Sequence, residues 1–574
     1  MKETYHIYPL GETAITIAFE AVISEAVNDK VIALYHHLQL QPITGVKDII
    51  PAYHTITLVF DGSIVKQNNF TFKALVHQIE TTIINCDWTK QIDHDVVEIP
   101  VCYDTIFGLD IEAMATNKGI TIDELTKRHI AKRYRIYCIG FLPGFAYMGN
   151  VDDVLETPRR LIPRSTINAG SVGIAGVQTG VYPLQSPAGW NIIGETPLQL
   201  FEANRDEPVL FKMGDMVQFK PISLSDFLLA KNKPIASKIL PKASAHSITV
   251  LKQGIADTIQ DLGRFGHQQY GINPTGAMDI VAAKVANFLV GNAANEAVIE
   301  LHFPASTFQF NTDAIIALSG ANFNATINDE PIAINTPIIV AANSILRFTK
   351  LFSGVRCYLA IGFGFALDKW LGSYSTNLKA NAGGYYGRLL QKNDAIKLNT
   401  TANFTKLLQG GASVAMQWQA DVTNLYSATN TIQIIAGNEY ELLCEASSEI
   451  LTNSGFTITA KSDKMGYQLH GIPLQLRQPF SLISTAVTRG TVQLLPSGEL
   501  IVLMADHQTI GGYPRVAQIA QVAMPKLAQI KVHQLITFSL ISQQKAIELL
   551  QQQQQYLLQI QNACIFKLKE ILAI

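Results

Sequence analysis

The segment AGSVGIAGVQTGVYPLQSPAGW, from Ala169 to Trp190, carries most of the information about the expected fold and also supplies a candidate site. Its glycines permit backbone angles and close approaches that other residues forbid. Four of its side chains add neutral hydrogen-bond donors and acceptors, namely Gln178, Thr179, Tyr182 and Ser186. This composition is typical both of a series of β-turns in a barrel and of one wall of a small-molecule pocket.

Length and charge restrict the class of protein. A chain of 574 residues with 48% hydrophobic residues is expected to form several globular domains. The 44 Lys and Arg residues against 46 Asp and Glu residues give a formal net charge of -2. This balance offers no basic excess for nucleic acid or an anionic membrane, so we expect a small neutral or weakly charged ligand.

The N-terminal residues and the cysteines indicate the cellular compartment. Glu3 and His6 precede any apolar run, and no window reaches the roughly 18 apolar residues of a membrane span. The six cysteines show no C-x-x-C spacing, which argues against a zinc knuckle or a disulfide framework and favours buried free thiols. We therefore expect a cytoplasmic protein without a resident metal site.

Composition and periodicity predict a mainly β protein with α+β character. Between Leu229 and Ser247 the chain alternates Lys, Pro, Ala and Ser without a sustained apolar period, as in an exposed linker. The expected units are a small α+β domain (residues 1–90), a β-barrel domain (91–228), a linker (229–246), two β-rich domains (247–425 and 426–545) and a Gln-rich C-terminal helix (546–574). Helices are predicted at 25–38, 72–85, 121–129, with a capping box of Thr121 and Glu124, and 279–290.

A short internal repeat links the two halves of the chain. AGVQTGVYP, from Ala175 to Pro183, recurs with one insertion as ADHQTIGGYP, from Ala505 to Pro514. Two copies of one β architecture explain this better than chance does. We therefore expect the paired turns to line a shared cleft, to which the second copy contributes Gln508 and Tyr513.

The chemistry-bearing motifs exclude several enzyme classes. The chain lacks a G-x-x-x-x-G-K-[ST] loop, an H-E-x-x-H motif and a G-x-S-x-G elbow, which weighs against P-loop enzymes, zincins and simple serine hydrolases. What remains is Arg, Asp and His in turns marked by Gly or Pro. Arg160 and Arg164 can bind carboxylate or phosphate oxygens. Four others can transfer protons or hold a metal-nucleotide, namely Asp261, Asp463, Asp506 and His507.

These segments together closely resemble the two-part family of Kip inhibitor and Kip antagonist, also called allophanate hydrolase subunits 1 and 2. In the first half the resemblance lies in IGFLPGFAYMG (139–149), TPRRLIPR (157–164), the run 169–190 and IIGETP (192–197). In the second half it lies in IQDLGRFGHQQYGINPTGAMD (259–279), ALSGANF (317–323), GSYST (372–376), SDKMGY (462–467) and ADHQTIGGYP (505–514). The resemblance implies a fusion of two bacterial subunits with cyclophilin-like β-barrel domains in both halves.

The resemblance implies two activities. Such pairs are regarded as parts of an ATP-dependent 5-oxoprolinase that works with a third subunit of LamB/YcsF type and opens the lactam of 5-oxoproline to L-glutamate. A similar fused module in urea carboxylase moves a carboxyl group from carboxybiotin to urea. Because this chain has no A-M-K-M biotinylation site, we favour the oxoprolinase, with ATP and Mg²⁺; biotin belongs only to the alternative. A histidine-kinase inhibitor is a third hypothesis, disfavoured by fusion to the antagonist, and a homo-oligomer remains open.

The resemblance also implies roles for the candidate residues. Gln178, Thr179, Tyr182 and Ser186 would bind the amide or lactam, with Gln508 and Tyr513 from the second repeat. Arg160 and Arg164 would bind a carboxylate or phosphate, and Asp261, Asp463, Asp506 and His507 would serve nucleotide, Mg²⁺ or proton transfer. The chain departs from the family pattern where Arg or Asp is usual, at Lys464, His507, Tyr374 and Asn377. These departures put anion binding by arginine in the second half in doubt.

Overall fold

The computed structural model describes residues 4–61, 72–88, 94–231, 246–399, 404–426 and 428–572. The helices are α1 (Glu25–Leu40), α2 (Phe72–Ile84), α3 (Ile111–Lys118), α4 (Ile122–Ile130), α5 (Leu224–Lys231), α6 (Ile280–Leu289), α7 (Thr405–Leu408), α8 (Glu445–Asn453), α9 (Met524–Ala528) and α10 (Gln543–Leu572). The strands of the first half are β1 (His6–Pro9), β2 (Ala14–Ala18), β3 (Val46–Pro51), β4 (Thr55–Phe60), β5 (Val96–Val101), β6 (Tyr134–Ile139), β7 (Ala146–Gly149), β8 (Arg164–Ile167), β9 (Ser171–Ala175), β10 (Gln178–Val181), β11 (Ser186–Ala188), β12 (Asn191–Glu195) and β13 (Met216–Pro221).

The strands of the second half are β14 (Ser247–Lys252), β15 (Thr258–Gln260), β16 (Val298–His302), β17 (Thr307–Phe310), β18 (Ala314–Asn322), β19 (Ala325–Ile327), β20 (Glu330–Pro331), β21 (Ile338–Val340), β22 (Ile345–Phe348), β23 (Ser353–Ile361), β24 (Ala395–Lys397), β25 (Ser413–Ala415), β26 (Thr431–Ala436), β27 (Gly455–Ile458), β28 (Gly466–His470), β29 (Thr485–Ala486), β30 (Thr491–Leu494), β31 (Leu500–Leu503), β32 (Ile510–Gly511), β33 (Arg515–Ile519) and β34 (Leu535–Leu540). Strands therefore dominate both halves, which confirms the predicted fold class.

An antiparallel four-stranded sheet opens the chain, in the order β1-β2-β4-β3. Helix α1 packs on it through apolar residues at helical spacing, including Val27, Val31 and Leu34. Ser24 caps α1, because its hydroxyl accepts a 3.3 Å hydrogen bond from the amide of Val27. The alternation and periodicity of the sequence predict the positions of both elements closely, although strands β2 and β4 are buried along their whole length.

The run from Ala169 to Trp190 forms the centre of a seven-stranded sheet in the order β12-β9-β10-β7-β6-β13-β5. Strands β9 and β10 pair as a hairpin, with Gly180 opposite Gly173. A side chain at Gly180 would meet the Ala146 carbonyl at 2.9 Å and the Trp190 ring at 3.2 Å, so glycine is required by packing here. Reciprocal backbone hydrogen bonds between Cys102 and Glu195 connect the two edges of the sheet, which curls into a barrel.

The second half contains a sandwich and a closed barrel. Two six-stranded sheets, β20-β19-β22-β17-β14-β24 and β15-β16-β23-β18-β21-β25, enclose a common apolar core. Strands β26-β33-β30-β31-β28-β27-β34 close into a seven-stranded barrel. Helix α6 lies on the outer face of the sandwich and packs against α10.

Some local predictions change in the structure, and others are confirmed. Helix α5 extends to Lys231, so the first residues of the predicted linker are helical, and residues 232–245 lie outside the described residues. Thr121 caps α4 through the amide of Glu124 at 3.1 Å, but the Glu124 carboxylate binds Arg128 at 2.8 Å instead of completing a capping box. Asp279 caps α6 through the amide of Ala282 at 2.9 Å. All six cysteines are free, and only Cys444 is not fully buried.

Direct contacts join the two halves. The carboxylate of Asp48 accepts hydrogen bonds from the amide of Gly266 at 2.9 Å and from Nε2 of Gln268 at 3.0 Å. Ile272 is buried in the core of the first-half barrel. Because these contacts are buried, the halves share cores instead of touching only at their surfaces.

Candidate active site

A cavity with a volume of about 640 Å³ lies between the two halves. This is within the range of small-molecule sites. The N-terminal sheet contributes Lys47 and Asp61, the loop before α6 contributes Thr275, and the closed barrel contributes Arg489 and His507. Helix α10 forms another wall with apolar residues and glutamines, namely Leu550, Gln553, Gln554, Leu557, Leu558 and Gln561.

Cationic side chains are in excess in this cavity. Lys47, Lys284 and Arg489 line it, whereas Asp61 is the single acidic residue of its described lining. Burial lowers the pKa of each lysine, and the carboxylate of Asp61 acts in the opposite direction on both. Burial also lowers the pKa of Arg489, whose guanidinium donates to the carbonyls of Ala277 and Met278.

His507 connects this cavity to a buried polar cluster. Its Nδ1 lies 2.6 Å from the carbonyl oxygen of Gln508, which can only accept, so Nδ1 carries the proton and Nε2 has the lone pair. Burial lowers the pKa of His507 to about 4. At neutral pH its imidazole is therefore uncharged and can accept a proton or a hydrogen bond through Nε2.

Asp506, the preceding residue, has an unsatisfied carboxylate oxygen. Its Oδ1 is buried and has no hydrogen-bond partner among the described residues. Burial raises the pKa of Asp506, while the cations of Lys464 and Arg264 oppose this shift. A carboxyl group in this state is suited to proton transfer.

Glu300 is the buried counter-charge of this cluster. Its Oε1 lies 3.3 Å from Nζ of Lys464, and its Oε2 accepts hydrogen bonds of 2.8 Å from the amide of Met278 and the hydroxyl of Tyr358. Burial acts to raise the pKa of Glu300, but Lys464 and the neighbouring cations hold it at about 2. Lys464, where the family usually has Arg, therefore serves an internal ion pair.

Asp261 joins two loops. Its carboxylate accepts hydrogen bonds from the amides of Gly263 (2.8 Å) and Tyr374 (2.7 Å) and from the hydroxyls of Ser373 (2.7 Å) and Ser375 (2.5 Å). Both oxygens are thus engaged in holding the GSYST loop. The backbone of Tyr374, where the family usually has Arg, is one of these donors.

The four candidates of the glycine-rich run lie outside the cavity. Thr179 is fully buried and bonds to Nε2 of His129 at 2.9 Å and to the carbonyl of Gly173 at 3.1 Å. Gln178 donates to the hydroxyl of Tyr53. Tyr182 and Ser186 are buried, and Tyr182 packs edge-on against Phe145 and Trp190. The run therefore builds an aromatic core: Gln178 and Thr179 bind protein partners, the Ser186 hydroxyl is buried without a partner among the described residues, and the rings pack together.

The two copies of the repeat meet, but in a packed core and not in a cleft. Ile510 of the second copy lies in one apolar cluster with Tyr182 of the first copy and with the nearby Trp190. A side chain at Gly140 would collide with Ile510 at 2.8 Å, which shows how closely the halves approach. The turns do not line a cleft where they touch, because Ile510 packs into the aromatic cluster of Tyr182. The second copy reaches the cavity only through Ala505 and His507.

Arg160 and Arg164 bind an anion of the protein itself. The carboxylate of Asp110 accepts from Arg160 at 2.5 Å and from Arg164 at 2.7 and 2.8 Å, and also from the amide of Ile192 at 2.7 Å. Asp110 is buried, whereas both arginines are partly exposed. The two arginines therefore bind a carboxylate, as predicted, but it is the carboxylate of Asp110. This interaction connects the loop 157–164 to the start of α3.

The remaining candidates occupy the rim of the second half. Asp463 is exposed and accepts from the amides of Met465 (2.7 Å) and Gly466 (3.2 Å), as in a turn. Gln508 is half-buried and Tyr513 is 37% exposed. Of the twelve predicted site residues, only His507 lines the described cavity.

Sequence reasoning missed the cations Lys47, Lys284 and Arg489 and the carboxyl of Glu12. Oε1 of Glu12 accepts from the amide of Gln521 at 2.5 Å, and Oε2 is buried without a hydrogen-bond partner in the described part of the chain. Burial raises the pKa of Glu12 to about 7. None of the four belongs to a motif with chemical spacing, because they come from separate elements that meet only in the fold.

Comparisons with known proteins agree with this two-part organisation. The family model "Carboxyltransferase domain, subdomain C and D" matches residues 5–211, and "Carboxyltransferase domain, subdomain A and B" matches residues 270–540. The 5-oxoprolinase C subunit of Haemophilus influenzae is 36% identical over 305 residues, which are 53% of this chain and 94% of that protein. The chain belongs to this carboxyltransferase-domain family.

Other members of the family cover the chain in different ways. The 5-oxoprolinase B subunit of Bacillus subtilis is 37% identical over 232 residues, 40% of this chain and 97% of that protein. Urea amidolyase of Lachancea kluyveri is 30% identical over 352 residues, 58% of this chain but 19% of that protein. The crystal structure of TTHA0988 superposes with a TM-score of 0.77 at 28% identity and covers 92% of this chain and 99% of that one. These comparisons confirm the resemblance of the sequence to a fused subunit pair.

Two further properties of the described residues concern membranes and metals. Among those residues, no helix combines the length and apolar character needed to cross a membrane. In the same part of the chain, no group of three or more His, Cys, Asp or Glu side chains is arranged to hold a metal ion.

Proposed function

We propose that this chain is the fused B and C component of an ATP-dependent 5-oxoprolinase, which opens the lactam of 5-oxoproline to L-glutamate in the cytoplasm together with the A component, a subunit of LamB/YcsF type. The observation that carries this proposal is how much of each relative's length the chain matches. The two halves match nearly the whole length of the C and B subunits of 5-oxoprolinases. The match to urea amidolyase, in contrast, leaves most of that protein without a counterpart here.

The chemistry of an amide explains the need for ATP. An amide carbonyl is a poor electrophile, and phosphorylation of its oxygen supplies a good leaving group. Lys47, Lys284 and Arg489 are the cations in the cavity that are available to phosphate or carboxylate oxygens. Since the described residues offer no cluster for a resident metal, we propose that Mg²⁺ arrives with the nucleotide.

Asp506 and His507 are the residues we propose for proton transfer. The buried carboxyl of Asp506 has a raised pKa and a free oxygen, and the neutral imidazole of His507 lines the cavity. One would hold a proton for the departing lactam nitrogen, while the other would orient or deprotonate the attacking water. We propose that Asp261 has a positioning role, since four hydrogen bonds already engage its carboxylate.

The test is a reconstituted assay of glutamate formation. The full chain is mixed with a subunit of LamB/YcsF type, ATP, Mg²⁺ and 5-oxoproline, with each component omitted in turn. We expect glutamate only in the complete mixture, and a loss of about 10²-fold or more in kcat for Asp506→Asn. Asp421→Asn, at an exposed aspartate that does not line the cavity, serves as the matched control and should retain the full rate.

A second function is kept because the matched models describe carboxyltransferase subdomains. In that case the chain would transfer a carboxyl group from carboxybiotin on another chain to urea or a related amide. Carboxybiotin-dependent carboxylation of urea, without glutamate formation in the complete mixture, would select this alternative.

A further inference from the structure

Two lysines from different halves of the chain face the same cavity. Lys47 belongs to β3 in the N-terminal sheet, and Lys284 belongs to α6 on the outer face of the sandwich. Both side chains line the cavity, and burial, with a smaller contribution from the charge of Lys47, lowers the pKa of Lys284. The cavity brings together two like charges that the sequence separates by more than 200 residues.

The protein compensates these charges incompletely. Nζ of Lys47 lies 4.2 Å from the centre of the Phe265 ring, a cation–π contact. Nζ of Lys284 makes no hydrogen bond or ion pair within the described ranges. Three cations against the carboxylate of Asp61 leave the described lining with an excess of two positive charges, because His507 is neutral. Partly buried ammonium groups in such a place are stabilised by a bound anion.

We propose that Lys47 and Lys284 form an oxyanion-binding subsite that holds the carboxylate of an anionic amide substrate or the phosphate of a nucleotide. The assignment rests on the proposed function for the identity of the amide, but the subsite itself does not depend on it. A neutral substrate such as urea has no group for this subsite. The glutamines of α10 that line the same cavity, Gln554 and Gln561, have carboxamides suited to the neutral amide portion of a ligand.

Binding to the full chain alone tests the subsite without requiring turnover. Calorimetric titrations use four probes, namely 5-oxoproline, 2-pyrrolidinone, inorganic phosphate and ATP. 2-Pyrrolidinone has the same lactam ring as 5-oxoproline but no carboxylate. We expect 5-oxoproline to bind about ten-fold or more tightly than 2-pyrrolidinone, because a charge-assisted hydrogen bond is worth at least that factor.

Variants of the lysines assign the oxyanion. Lys47→Gln and Lys284→Gln should each weaken at least one anionic probe by about ten-fold or more and leave 2-pyrrolidinone unchanged. Loss of 5-oxoproline binding places the substrate carboxylate at the lysines, and loss of phosphate and ATP binding alone places the nucleotide there. Lys284→Arg, which keeps the charge, should restore binding. Lys397→Gln, at an exposed lysine of β24, is the matched control.

Two results would overturn the subsite. One is that no anionic probe binds the wild-type chain; the other is that both glutamine variants, folded as judged by circular dichroism, bind all anions as the wild type does. The outcomes for the two proposals are separable. Lysine-dependent anion binding without glutamate formation would support the subsite and reject the oxoprolinase. Glutamate formation with unchanged KM values for 5-oxoproline and ATP in both variants would support the oxoprolinase and reject the subsite.

Discussion

Among the described residues of this molecule, some buried ionisable side chains have a partner of opposite charge, and others do not. Arg515 is buried, and Glu439 accepts hydrogen bonds of 2.9 and 2.8 Å from its guanidinium. Glu12 is equally buried, but its Oε2 has no partner in the described part of the chain. Because an unpaired buried charge is costly, Glu12 holds its proton more strongly than an ordinary carboxyl group does.

Glu12→Gln should stabilise the protein at alkaline pH. The pKa of Glu12 rises from 4.5 to about 7 in the folded state, so folding binds an extra proton and stability falls as the pH rises between these values. Glutamine keeps an acceptor for the amide of Gln521 and carries no charge. We expect a higher Tm for the variant at pH 8, corresponding to at most about 3 kcal/mol.

The pH dependence of this difference is the critical measurement. At pH 5 Glu12 is already protonated in the folded protein, so the advantage of the variant should shrink as the pH falls toward this value. Glu20→Gln, at an exposed glutamate, is the control and should show no such trend. A Tm advantage that is constant from pH 5 to pH 8 would contradict the shifted pKa.

At the scale of elements, the C-terminal helix α10 combines a core face with a cavity face. Its buried residues recur at helical spacing, namely Leu550, Leu557, Ile560, Cys564 and Leu568. Several of them pack against α6, while its glutamines line the cavity. The sequence predicts this amphipathic helix from its periodicity, although its partner helix could not be read from the sequence.

Adjacent leucines of α10 offer a matched test of this packing. Leu557 is 2% exposed and Leu558 is 49% exposed. We expect Leu557→Ala to lower the free energy of unfolding by about 2–5 kcal/mol because it leaves a cavity against α6. Leu558→Ala should cost less than about 1 kcal/mol. Equal Tm values for the two variants would show that α10 does not pack as described.

At the scale of the whole molecule, the two halves behave as one folded unit. Glu12 binds Gln521, Asp48 binds the loop at Gly266 and Gln268, and Trp370 donates to the carbonyl of Ala203 at 2.9 Å. Apolar clusters also contain residues of both halves. The relatives that match each half over nearly their full length are named as separate subunits, whereas in this chain buried contacts join the two halves.

Division of the chain between Lys231 and His246 should therefore leave a stable complex. We expect residues 1–231 and 246–574, expressed together, to elute as one species in size-exclusion chromatography. Asp48→Ala should weaken this complex, because the amides of Gly266 and Gln268 lose their buried acceptor. Asp29→Ala, at a side chain that is 61% exposed, is the control. Two separate peaks for the wild-type halves would contradict the shared core.

The limits between the predicted units stay a proposal, which limited proteolysis can test. The hydrophobic pattern predicts α1 and α4 because each buries one face, and it predicts α6 because most of its residues are apolar and buried. The same pattern does not show which polar residues meet in the cavity. Thr179 and Tyr182 have the residue types of a pocket, but the fold gives them His129, Gly173 and aromatic rings as neighbours.

By itself, the sequence determined the mainly β class, the chief helices and the resemblance to a fused subunit pair, because these depend on local periodicity and on contiguous motifs. Only the tertiary structure decided which polar groups are free. In the tertiary structure Arg160 and Arg164 bind Asp110. Four residues that are distant in the chain line one cavity, namely Lys47, Lys284, Arg489 and His507. The physical reason is that a side chain's partners and burial depend on residues distant in the chain, and these decide whether its charge is neutralised or available to a ligand.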